Sequence, residues 1–153
     1  MIIRKAKVTE AKNIKLLIDQ YAKKSLMLER GLDEIYEKIR DFTVCSVNEK
    51  LVGVCALVIF NEDFAEIRSL AVSDNYKGKN IGEHLIKSCI TEALEYNIHN
   101  IFTLTYIPDY FKKLNFQPVD KDSLPHKIWR DCIKCEHFYN CDEESLIYKL
   151  DSI

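Results

Sequence analysis

Residues 65–82, Ala65-Glu66-Ile67-Arg68-Ser69-Leu70-Ala71-Val72-Ser73-Asp74-Asn75-Tyr76-Lys77-Gly78-Lys79-Asn80-Ile81-Gly82, constrain this chain more than any other stretch. They read as a strand, a short polar loop with two glycines, and the start of an amphipathic helix. The first turn of a helix leaves backbone N–H groups unpaired, and the macrodipole is positive there. A loop of this composition, leading into such a turn, can hold a phosphate or diphosphate with little help from side chains. Many loops contain two glycines, so the surroundings must sharpen the reading.

At 153 residues the chain is expected to form one domain, 1–153, with a proper buried core. With 22 basic residues against 24 acidic ones, the formal net charge of -2 offers no electrostatic footprint for nucleic acid. No apolar run approaches membrane-spanning length, and Met1-Ile2-Ile3-Arg4-Lys5 is no signal peptide. A cytoplasmic location with no membrane partner is the resulting expectation. Cys45, Cys55 and Cys89 sit in apolar periodic segments, where a free thiol behaves as a small hydrophobe. Without a secretion signal, a disulfide framework is not expected.

Patterning predicts a strand from Met1 to Val8, with Thr9 as N-cap of a helix running to about Lys24. A second helix, with Leu32, Ile35 and Ile39 on one face, is expected to end near Arg40. Strands follow at 42–47, 51–60 and 64–72, the middle one apolar almost throughout, as when both sheet faces are covered. A helix from Ile81 to Tyr96 carries a stripe of Ile81, Leu85, Ile86, Cys89, Ile90 and Ala93. A strand at 101–105, a short helix from Pro108 to Leu114, a strand at 116–119 and a last strand at 145–150 complete the order. Residues 122–144 are expected to form a cysteine-containing cap before that strand. The succession argues for a mixed α/β architecture around a central sheet.

On these residues the chain resembles the GNAT superfamily of acyl-CoA-dependent N-acetyltransferases, whose signature is [QR]-x-x-G-x-[GA] between the fourth strand and third helix. Lys77-Gly78-Lys79-Asn80-Ile81-Gly82 aligns with it, Lys77 standing for Arg or Gln and Asn80 for the first glycine. Lys77 keeps a positive charge, and Asn is the non-glycine residue that best tolerates positive φ. The resemblance implies a mostly antiparallel sheet with splayed fourth and fifth strands and helices on both faces. It also implies an acetyl-CoA site formed by Leu70, Ala71, Val72, Lys77, Gly78, Lys79, Asn80, Ile81 and Gly82. Within the superfamily, Ile3-Arg4-Lys5-Ala6, Leu26-Met27-Leu28-Glu29-Arg30, residues 65–72, Leu104-Thr105-Tyr106 and 124–132 look like short, single-domain N-acetylglutamate synthases. Those enzymes transfer acetyl from acetyl-CoA to the α-amino group of glutamate, the first step of arginine biosynthesis.

Such a transfer needs a neutral amine, so a carboxylate must take a proton from an ammonium ion. The resemblance puts this general base at Glu66. Strand alternation alone reads Glu66 as a strand-face carboxylate paired with Arg68 on the same face. The tyrosine that many family members use as an acid falls at Phe111, so the proton donor is sought at Thr105, Tyr106 or Tyr110. A backbone N–H near Leu70 would receive the oxyanion. Glutamate's carboxylates call for arginine, with Arg30, Arg68 and Lys127 as candidates; for Lys127, simple solvation is the competing reading.

Cys132-x-x-Cys135 followed by Cys141, with His126 and His137 nearby, could form a structural zinc site, but the second pair of a closed Cys₄ site is missing. Reduced thiols or a reversible Cys132–Cys135 disulfide are the competing readings, and no metal is assigned. The expected partners are acetyl-CoA and glutamate, with a homodimer left open. Glutamine, another amino acid, a polyamine or a protein N-terminus are alternative acceptors, Arg30 and Arg68 arguing against a cationic one. A non-catalytic module sensing acetyl-CoA or redox state is the alternative of a different class.

Overall fold

The computed structural model describes residues 1–125 and 143–150. Its strands are β1 (Ile2–Lys5), β2 (Phe42–Val47), β3 (Lys50–Ile59), β4 (Phe64–Val72), β5 (Asn100–Thr105), β6 (Gln117–Pro118) and β7 (Glu144–Lys149). Its α-helices are α1 (Ala11–Ala22), α2 (Leu32–Glu37), α3 (Ile81–Glu95) and α4 (Pro108–Lys112). The strands form one seven-stranded sheet in the order β1-β2-β3-β4-β5-β7-β6. Every pairing is antiparallel except β4 with β5.

Two apolar clusters explain the layering. On one face, Ile14, Leu17 and Ile18 of α1 and Ile35 of α2 bury against Phe42, Val44, Val54 and Ala71. On the other, Ile81, Leu85, Ile86 and Cys89 of α3 and Phe111 of α4 bury against Cys45, Cys55, Leu57 and Ile67. Each fully buried Leu or Ile contributes about 1.5–3 kcal/mol relative to exposure. The packing of α3 on the sheet is close: a Cβ on Gly53 would stand 3.0 Å from Ile81 Cγ2 and 3.1 Å from Leu85 Cδ1.

Two bulges set which residues face which layer. Cys45 opposes Gly53 but Ser46 opposes Leu51, so Val52 is an extra residue that changes the face parity of β3. Farther along, Val54 opposes Ala71 while Ala56 opposes Arg68, which leaves Ser69 and Leu70 of β4 facing Cys55 alone. Ser69 takes the strain of this second bulge at φ 55°.

The sequence reading needs correction at several boundaries. Thr9 is not an N-cap: Val8–Glu10 forms a 3₁₀ turn, and Glu10 stands before α1. The Glu10 carboxylate accepts the Lys7 backbone N–H at 2.8 Å and two Arg4 hydrogen bonds at 2.8 Å each, so pairing with these two neighbours took over the capping role. The first strand stops at Lys5, and α2 gives way to a 3₁₀ turn over Ile39–Asp41. The strand expected at 116–119 shrinks to β6, because Phe116 turns into the core and stacks against Phe111 and Tyr148. Among the described residues, no helix is long and apolar enough to cross a membrane.

Candidate active site

The site begins where β4 and β5 part. They pair only at Phe64–Asn100, Ala65–Ile101 and Glu66–Phe102, although both strands run on. One pleat later the Ile67 carbonyl accepts the Thr103 hydroxyl at 3.0 Å in place of a backbone donor. Beyond that point the bulge at Ser69 bends β4 away. A cleft of about 210 Å³ opens there, with Glu66, Arg68, Leu70, Thr105, Tyr106 and Arg30 in its walls.

Glu66 is buried, 6% exposed, and faces Arg68 from the same side of β4. Arg68 Nε donates to Glu66 Oε1 at 2.9 Å, and a terminal guanidinium nitrogen reaches the same oxygen. The guanidinium also lies over the Phe60 ring, 5.7 Å from its centroid. Arg30 enters from the segment between α1 and α2; its side chain donates to Glu34 at 3.2 Å, and its carbonyl accepts Lys15 Nζ at 3.0 Å. Two guanidinium groups and a buried carboxylate therefore border one cleft.

Thr105 Oγ1 accepts the Ile107 backbone N–H at 2.9 Å. Accepting that bond leaves its own proton available to donate. Tyr106 also lines the cleft, whereas Tyr110 is not among the lining residues. Tyr110 turns instead toward the start of α3, where its hydroxyl sits against Gly82; burial raises the pKa of this phenol. The neighbouring Phe111 faces the cleft. One residue along a helix is a rotation of about 100°, enough to send the two side chains to different sites.

The loop before α3 has the backbone its composition suggests. Gly78 sits at φ 80° with open space around it, and Asn80 adopts the left-handed conformation at φ 62°, ψ 19°. The Asn80 carbonyl accepts the His84 N–H at 3.1 Å, which begins the helix. Lys77 bonds Asp74 at 3.0 Å and lies 5.1 Å above the Tyr21 ring, and these partners raise the pKa of its ammonium. Lys79 covers Tyr76 at 5.2 Å.

Lys127, His126, His137, Cys132, Cys135 and Cys141 lie outside the described residues. Among the described residues, no group of three His, Cys, Asp or Glu side chains could hold a metal ion. Glu143 and Tyr21 are among the cleft residues that the sequence reading did not single out. Glu143 sits in an acidic run that reads as solvated surface, and Tyr21 belongs to the apolar stripe of α1.

Comparison with known proteins agrees with this architecture. A relative from Chlorobaculum tepidum, described as an uncharacterized N-acetyltransferase, is 34% identical over 97% of this chain and 96% of its own length. The amino-acid acetyltransferase of Mycobacterium tuberculosis is 30% identical over 84% of this chain and 75% of its own length. In three dimensions, the N-acetylglutamate synthase of Neisseria gonorrhoeae, complexed with coenzyme A and N-acetyl-glutamate, matches 99% of this chain with a TM-score of 0.90 at 25% identity. This chain corresponds to 35% of that larger protein. The model of the Acetyltransferase (GNAT) family matches residues 12–116, which takes in the parted strands, the loop and α3. With the family's splayed sheet and its loop-to-helix turn both in place, the chain belongs to the GNAT acetyltransferases.

Proposed function

We propose that this acetyltransferase moves the acetyl group of acetyl-CoA to the α-amino group of L-glutamate. The observation that carries the reading is the buried Glu66–Arg68 pair on β4, sharing a cleft with Arg30 at the parting of β4 and β5. A carboxylate beside two guanidinium groups suits an acceptor that brings an ammonium ion and two carboxylates.

The residues present fit an acyl-CoA. Gly78 leaves open space before the positive end of α3, where a diphosphate would lie. The β4 edge beyond the bulge offers backbone groups to a strand-like pantetheine. When bound, the thioester supplies an activated acyl carbon; this chain's residues orient the amine and manage protons. Arg30 and Arg68 hold the acceptor carboxylates, and Glu66 takes the ammonium proton directly or through water. The amine nitrogen then bonds the acyl carbon, the carbon–sulfur bond breaks, and the departing thiolate takes a proton from Thr105 or Tyr106, whose hydroxyl is restored by the second proton that the attacking nitrogen sheds. A main-chain N–H at the Ser69–Leu70 bulge meets the charge developing on the acyl oxygen.

Glu143 gives a second reading specific support. An additional carboxylate at the cleft disfavours a charged acceptor side chain, which makes glutamine the rival acceptor. The test is release of free CoA thiol from acetyl-CoA by purified protein across an acceptor panel. Glutamate should give the highest kcat/KM. Glutamine in first place would exchange one acceptor for the other, and binding of acetyl-CoA without turnover on any acceptor would replace the enzyme reading with a sensor.

A further inference from the structure

The backbone of Val72 shows how the cofactor edge is kept before ligand arrives. Ser73 N–H donates to the Val52 carbonyl at 2.8 Å, so Ser73 turns its polar groups toward β3. Alternation then turns both polar groups of Val72 away from β3, toward the side where β5 has departed. An open strand edge of this kind is a template for any extended ligand. One side chain answers both groups. The Tyr21 hydroxyl, from the last turn of α1, donates to the Val72 carbonyl at 2.8 Å and accepts the Val72 N–H at 3.3 Å.

We propose that Tyr21 is a stand-in for the pantetheine arm: its hydroxyl holds the carrier's place on β4 and is displaced when acetyl-CoA binds. This rests on the acetyl-CoA reading above. A phenol that donates and accepts at one residue supplies the same two bonds that the amides of a strand-like ligand supply. Tyr21 cannot keep both bonds while a ligand takes them. Its surroundings fit a movable part better than a fixed brace. The ring borders the cleft, so it has room to turn, and its outer partner is the Lys77 ammonium, an exposed and flexible group of the diphosphate loop. The arrangement links three parts of the site. Tyr21 touches the pantetheine edge through oxygen and the diphosphate loop through its ring, while its carbonyl accepts the Leu26 N–H at 3.0 Å, at the root of the segment that carries Arg30.

The experiment compares the wild-type chain with Tyr21→Phe, which keeps the ring under Lys77 and removes only the hydroxyl. Calorimetric titration with CoA should show about fivefold tighter binding by the variant, the worth of one net hydrogen bond no longer broken on entry. Hydrogen exchange of the Val72 amide gives an independent readout. Without ligand it should be slow in the wild type and fast in the variant; with saturating CoA it should be slow in both. Equal or weaker CoA binding by Tyr21→Phe overturns the stand-in and leaves Tyr21 as a brace or a direct ligand contact. A Val72 amide that exchanges alike in both unliganded proteins overturns it as well. Failure of the wild-type chain to bind CoA would instead sink the acetyl-CoA reading itself, and the stand-in with it.

Discussion

Arg68 directs two of its nitrogens at one oxygen of Glu66, Oε1, from two residues along the same strand. The pair sets a guanidinium directly against a buried carboxylate. Under the proposed function, an acceptor carboxylate arriving at Arg68 would compete with Glu66 for that guanidinium.

Glu66→Gln keeps the shape of that contact and removes the proposed base. The kcat of acetyl transfer should fall about 10²–10⁴-fold near neutral pH, the usual worth of a positioned general base. At higher pH more of the amine is neutral, so the deficit should narrow. A pH series of CoA-thiol release checks both points, and an unchanged rate removes Glu66 from the mechanism.

Arg68→Lys retains charge but loses the planar fork. The KM for the acceptor should rise about tenfold or more, as expected when a bidentate hold on a carboxylate becomes a point contact. Arg30→Ala should act in the same direction, with the KM for acetyl-CoA unmoved in both. A rise confined to acetyl-CoA would put these arginines at the wrong substrate.

Asn80 holds the left-handed turn that opens α3. Asn80→Gly should leave melting within a degree or two and preserve CoA binding, because glycine occupies this region freely. Asn80→Val should cost about 1–2 kcal/mol, the penalty of placing a branched Cβ there, and should weaken CoA binding as the loop distorts. Thermal melting and CoA titration of the two variants separate strain from side-chain contact.

Gly82 and Tyr110 should behave as a coupled pair. A Cβ at position 82 runs into the Tyr110 hydroxyl, the far end of a side chain that can shift. Gly82→Ala should therefore destabilise by about 1 kcal/mol, at the low end of overpacking costs. Adding Tyr110→Phe removes the colliding oxygen and should return part of the loss. A double-mutant cycle by denaturant unfolding reads the coupling, and strict additivity would show that the contact does not matter.

Glu10 supplies a pH signature far from the cleft. Its pKa is lowered, first by the Arg4 hydrogen bonds; burial opposes them, and the Lys7 backbone N–H adds a smaller effect in the lowering direction. A depressed carboxylate contributes stability above its unfolded pKa and loses it as pH falls through the folded value. Glu10→Gln should thus cost about 1 kcal/mol at neutral pH, and the gap to wild type should close through the acid range below the ordinary glutamate value. Urea unfolding at several pH values measures it.

Much of this molecule was legible in order along the chain. The change from strand alternation in β4 to helical periodicity in α3 located the loop, and the identity of Asn80 foretold a left-handed backbone. Alternation placed Glu66 and Arg68 on one face, because a two-residue period is a local property. Thr9 misled for the opposite reason. Its neighbour Glu10 was drawn into the turn by Arg4, a partner that capping rules do not consult.

The sequence by itself settled the order and kind of the main strands and helices, and it named residues chemically suited to bind an anion or accept a proton. Tertiary structure alone decided where β4 and β5 part, because that depends on the Ser69 bulge and on Thr103 meeting Ile67. It alone brought Tyr21 to Val72 across 51 positions and set Tyr110 against Gly82 rather than in the cleft. Periodicity encodes which side a residue faces; what it meets there depends on how distant segments fill the same space, and that is fixed only when the layers pack.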